Sequence, residues 1–119
     1  MKIFHHPGFA APLGDHIMPI SKFALVAERI RKVLPEVEIA APAPVSQTDL
    51  ARVHSADYIS AIRTGQPRAL AESQKFPWSP ELFPSVCLTN GGVLAAARVA
   101  LEHGSSAALA SGFHHSCAD

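Results

Sequence analysis

A chain of 119 residues with 48% hydrophobic and 17% charged side chains has the size of one domain, 1–119, and enough apolar material for a core, which excludes a disordered chain. Ten lysines and arginines balance ten aspartates and glutamates, so no basic footprint for nucleic acid or an anionic membrane surface is present. Cys87 and Cys117 are too few for a disulfide framework, and the N-terminus lacks the charged head and long apolar stretch of a secretory signal, so a cytoplasmic location is expected.

In chain order, Lys2-Ile3-Phe4-His5 predicts a first strand, closed by His6-Pro7-Gly8, and a loop continues to Pro19. From Ser21 to Leu34 apolar residues recur at Phe23, Val26, Ile30, Val33 and Leu34, the spacing of an amphipathic helix. Ser21 would cap it, Arg29, Arg31 and Lys32 suit its negative end, and Pro35 stops it. Val37-Glu38-Ile39-Ala40 predicts a second strand, followed by a connection stiffened by Pro42 and Pro44. Thr48 and Ser55 suggest the caps of two short helices meeting near His54, the second presenting Tyr58, Ile59 and Ile62 and ending at Gly65. The segment 66–78 is polar and interrupted by proline, so it is expected to be a long covering loop.

Ser79-Pro80-Glu81 has the make-up of a helix opening, with a cap, a proline where no donor is needed and an acid in the first turn. Pro84 then implies a kink or a restart at Ser85, and the body runs to His103 with Gly104 as its left-handed end. Gly91-Gly92-Val93-Leu94-Ala95-Ala96-Ala97 makes a helix with so little side chain that we expect it to lie tightly against a sheet. Its most apolar part, 91–101, carries Arg98 and is too short to span a bilayer. Ala107-Ala108-Leu109-Ala110 has no alternation, as expected of a parallel strand buried on both faces. The order predicts an α/β fold: a partial three-layer arrangement with a parallel sheet of about three strands between flanking helices. In such sheets ligands bind beyond the carboxyl ends of the strands. The third strand leads into His114 and His115.

Seven histidines, His5, His6, His16, His54, His103, His114 and His115, are many for this length. Adjacent side chains diverge, so His114 and His115 are ill suited to gripping one metal together. They suit two acid–base groups flanking a reacting centre, one taking a proton from water and one giving a proton to a leaving group.

Gly91-Gly92-Val93-Leu94-Ala95-Ala96-Ala97-Arg98 followed by Ser111-Gly112-Phe113-His114-His115 resembles the histone deacetylase family of the arginase-deacetylase superfamily. Phe76-Pro77-Trp78-Ser79-Pro80-Glu81-Leu82, Val53-His54-Ser55-Ala56-Asp57-Tyr58 and Gly14-Asp15-His16-Ile17-Met18-Pro19 with Lys22-Phe23 are similar to further family segments, the last of them in bacterial and class IV-like members. The resemblance implies the N-terminal part of a zinc-dependent amidohydrolase that removes acetyl groups from lysine or other amines. It implies His114 as an electrostatic, proton-holding group and His115 as general base and acid. It also implies Gly112 and Phe113 in the loop shaping the substrate tunnel, and a match of Asp119 to a family aspartate after the pair.

The family's zinc ligands, an Asp-x-His pair and a later aspartate, and its carbonyl-assisting tyrosine follow the tandem histidines, and this sequence has no Asp-x-His. Zinc catalysis needs about three protein ligands and an open position. The chain alone is therefore expected to bind no zinc cofactor in the family manner and to be inactive. Its expected partner is a second copy of itself or a complementing C-terminal half, with no nucleic acid and no membrane. A second reading is a non-catalytic oligomeric binding or structural module. A third is a new metal site built from His5, His6, His16 or His54. Cys87 reads as a small buried hydrophobe, Cys117 as a thiol near the histidines without a family role, Trp78 and Phe76 as packing anchors, and Arg98 as a solvent-facing helix residue.

Overall fold

The computed structural model describes residues 1–12, 14, 19–110 and 118–119. A parallel three-stranded sheet lies at its centre, with β1 (Lys2–Phe4) between β2 (Glu38–Ala40) and β3 (Ser106–Ala108). Lys2, Ile3 and Phe4 pair with Glu38, Ile39 and Ala40 on one side and with Ser106, Ala107 and Ala108 on the other. The ladders run one residue further at each side, because the His5 amide donates to the Ala40 carbonyl and the Leu109 amide to the Phe4 carbonyl. The α/β class and the parallel sheet are as expected. Lys2 also reaches its register partner Glu38 through a 2.8 Å ion pair.

Of the three described strands, only β1 is covered on both faces, with Ile3 and Phe4 buried. All three β3 residues are half-buried, and among the described residues β3 pairs with β1 alone, so the expectation of a strand buried on both faces is corrected. The unalternating run of Ala107 and Ala108 reflects small side chains under a helix, not burial from two sides.

The helix α1 (Lys22–Val33) ends near the predicted bounds, but Ser21 makes no capping hydrogen bond and is itself helical. Its stripe is only partly used: Ala27 is buried, while Val26, Val33 and Leu34 stay exposed. After β2, the short α2 (Gln47–Leu50) is capped by Ser46, whose Oγ accepts from the Asp49 amide; Thr48 lies inside the helix. In α3 (Ala56–Thr64) the expected cap is present, with Ser55 Oγ accepting from the Tyr58 amide at 3.2 Å and Gly65 left-handed at φ 76°.

The covering segment is less loop-like than predicted, since it begins with a helical turn, α4 (Arg68–Ala71), and buries Ala71, Gln74 and Phe76. Trp78 anchors its far end: the indole N–H donates to the Ile62 carbonyl at 2.7 Å, the Arg68 guanidinium stands over the ring, and Gly65 leaves room for it. A similar short turn, the 3-10 segment Pro7–Phe9, follows β1 where sequence suggested irregular chain.

The long helix α5 (Leu82–His103) begins three residues later than Ser79, so Pro84 falls in its first turn, where its missing N–H has no partner to lose. Neither a kink nor a restart is needed. The helix is 22 residues long, so the expectation that its apolar segment is too short to cross a membrane is corrected for length. By length and composition alone it passes that test, yet it buries Ser85, Thr89, Gly91, Gly92 and Ala96 against protein.

Those glycines meet something other than a strand. A Cβ on Gly91 would overlap the Ala43 carbonyl and stand 3.0 Å from the Val45 amide nitrogen; one on Gly92 would come within 2.8 Å of the Phe9 ring. The Val45 amide donates to the Cys87 carbonyl at 2.9 Å, and Ser85 Oγ donates to the Phe9 carbonyl at the same distance. Around this half of α5, one cluster joins Ala11, Tyr58, Ile62 and Leu82, and another joins Leu50, Ile59 and Cys87, with Phe83 packed against both.

Gly91→Ala should therefore lower unfolding free energy by about 1–3 kcal/mol, because the neighbouring backbone cannot yield. Asn90→Ala, one residue away and exposed, should change it by no more than about 0.5 kcal/mol in the same urea titration.

Candidate functional site

The carboxyl ends of the three strands share one edge of the sheet: His5 and His6 after β1, Ala41 and Pro42 after β2, Leu109 and Ala110 after β3. The predicted site residues His114 and His115, with Gly112, Phe113, Cys117 and His16, lie outside the described residues. The chain on either side of 111–117 is tied down. Leu109 is bonded to the end of β1, and the Ala118 carbonyl accepts from the Ser55 amide at 3.0 Å, at the start of α3. Sequence gave no signal for that second tie, since a backbone amide at a cap carries no side-chain signature.

His5 is buried, 8% exposed, with its ring edge-on to Phe9 at a centroid distance of 5.8 Å. Burial first, then the Arg31 charge and His6, hold its pKa below the ordinary value of 6.5, so it is kept neutral. His6 is spent on structure: its Nδ1 accepts from the Gly8 amide at 2.9 Å and caps the 3-10 turn. His54 tilts against Tyr58 at 5.7 Å, and its Nδ1 is buried without a hydrogen-bond partner among the described residues. His103 is exposed at the end of α5.

Among the described residues no group of three or more histidines, cysteines or carboxylates gathers to hold a metal. His5, His6 and His54 thus build no centre with other described residues, and those residues do not fit a zinc ion. Burial pushes the Cys87 thiol up, away from the thiolate, and it packs between Leu50 and Ile59 as a small hydrophobe. Trp78 and Phe76 are packing anchors and Arg98 is exposed, as expected.

The family model of the histone deacetylase domain matches residues 16–119, and the chain belongs to that family. An uncharacterized protein of the cyanobacterium Picosynechococcus sp. is 28% identical over 117 residues, which is 95% of this chain and 39% of the relative. The chain thus spans well under half the length of that relative.

The neutral state of His5 sets a pH dependence. An unfolded histidine takes up a proton below about pH 6.5, while the folded one resists it, so unfolding free energy should fall as pH drops below that point. Above it both states are neutral and the contribution is flat. Thermal melts of His5→Phe between pH 7.5 and 5 should show a shallower acid slope than the parent.

Proposed function

We propose that the chain is the N-terminal part of a zinc-dependent deacetylase acting on acetyl-lysine or related acetylated amines, and that His114 and His115 handle its protons. The observation that carries this reading is the family match, which takes in Ser111-Gly112-Phe113-His114-His115, a stretch that follows β3 in sequence. His115 removes a proton from the attacking water and returns it to the departing amine, while His114 holds a proton beside the oxygen on which negative charge develops. Gly112 and Phe113 shape the passage for the acyl-bearing side chain.

The carboxylate and histidine ligands for the metal come from a complementing C-terminal portion. The half-buried β3, with a neighbour on one side among the described residues, supports further strands joining there. On this reading the chain by itself turns over nothing.

Purified chain with zinc and an acetyl-lysine peptide should release no acetate. Adding the portion of the Picosynechococcus relative beyond its matched segment should restore turnover. His115→Ala should then lower the restored rate by about 10²- to 10⁴-fold. Turnover by the chain alone that survives His115→Ala would defeat the assignment, and would favour a contaminant or a different site.

A further inference from the structure

Among the described residues the outer side of α5 stays exposed, and the proposed chemistry does not use it. At about 100° per residue, Val93, Leu94, Ala97 and Leu101 fall on one stripe of the helix, opposite Gly92 and Ala96. Leu101 is 88% exposed, Val93 55% and Leu94 37%, while Ala97 between them is exposed and short. This gives a knob and a hollow on the same face, one turn apart. Arg98 and Glu102 flank the stripe on a common side, also one turn apart. Arg98 is in no ion pair among the described residues, and Glu102 has only a 3.8 Å contact with His103.

We infer that this face binds a second copy of the chain through antiparallel α5 helices, with Leu101 of each copy seated over Ala97 of the other. Three observations on the face agree on that register. Leucine over alanine matches large to small twice, as a two-fold axis requires. An antiparallel pair brings like flanks together, so Arg98 of one copy lies within about 3 Å along the axis of the partner's Glu102, and two opposite-sign contacts form. Val93 and Leu94 then extend the contact toward the partner's helix end, where Gly104 and Ser105 present no bulk. A partner of unrelated sequence would not need the hollow and the knob, nor the two charges, in this self-matching order.

The test needs only the full chain and no catalysis, so it is independent of the deacetylase reading. Sedimentation velocity from about 1 to 100 μM should show a reversible monomer–dimer equilibrium. Leu101→Asp should raise the dimer Kd at least tenfold with an unchanged far-ultraviolet circular dichroism spectrum, since the side chain is exposed. Arg98→Glu and Glu102→Arg should each raise Kd by about threefold to tenfold, and the double reversal should bring it back to within about threefold of the parent. A monomer at 100 μM, a dimer indifferent to Leu101→Asp, or a double reversal without recovery would overturn the inference. So would flotation of the chain with phosphatidylcholine vesicles in place of self-association, which would give the stripe to a lipid surface.

Discussion

The contact on which the structure depends is the one between α5 and the extended connection leaving β2. At Gly91 the helix has no side chain, so the backbone around Ala43 can lie directly on it, and the Val45 amide bonds to the Cys87 carbonyl. That contact sets the distance between the sheet and the helix. It also sets where α2 begins, because Ser46 caps α2 immediately after the strap. At the next residue, Gly92 admits the Phe9 ring, and Ser85 Oγ donates to the Phe9 carbonyl, so the turn after β1 is fixed to the same helix. Pro42 and Pro44 make the strap an extended segment with few donors to satisfy, which suits a chain laid on another backbone. The segments that leave β1 and β2 at the carboxyl edge of the sheet are thus positioned from α5.

The sheet and the larger helices were legible because local rules agree with tertiary demand there. Gly65 and Gly104 are both left-handed at helix ends, and Ser55 caps α3 in the predicted manner. Errors arose where a residue had more than one qualified neighbour. Ser46 and Thr48 are both good caps, and the choice went to the one preceding the turn by the geometry of the strap. Ser79-Pro80-Glu81 reads as an opening, yet the backbone enters the helix only at Leu82, so Pro84 becomes harmless. The stripe of α1 was visible as periodicity, but periodicity says which side is apolar and not whether anything covers it; Val26 and Val33 stay exposed. The link from Ser55 to Ala118 joins residues 63 positions apart through main-chain atoms, for which sequence has no alphabet.

The family was legible as an ordered set of short motifs. His114 and His115 belong to residues 111–117, outside those described, so the roles proposed for them are argued from the family match alone. The described histidines divide by environment. His6 is a turn cap, His54 keeps one ring nitrogen without a partner among the described residues, beside Tyr58, and His5 is held neutral under Phe9 near Arg31. A high histidine count therefore covered several unlike uses. Cys87 likewise has its acidity suppressed by burial, and it fills space.

The central position of β1 has a consequence for biosynthesis. Its first neighbour, β2, emerges some three dozen residues later, but its other edge waits for β3, and the Ser106 hydroxyl that closes on the Lys2 carbonyl is 104 positions downstream. At translation rates of roughly 5–20 residues per second, that edge stays open on the ribosome for on the order of 5–20 s. Ile3 and Phe4 are apolar and unpaired on that side throughout, so a nascent chain has a long interval in which chaperones, or another nascent chain, compete with its own β3.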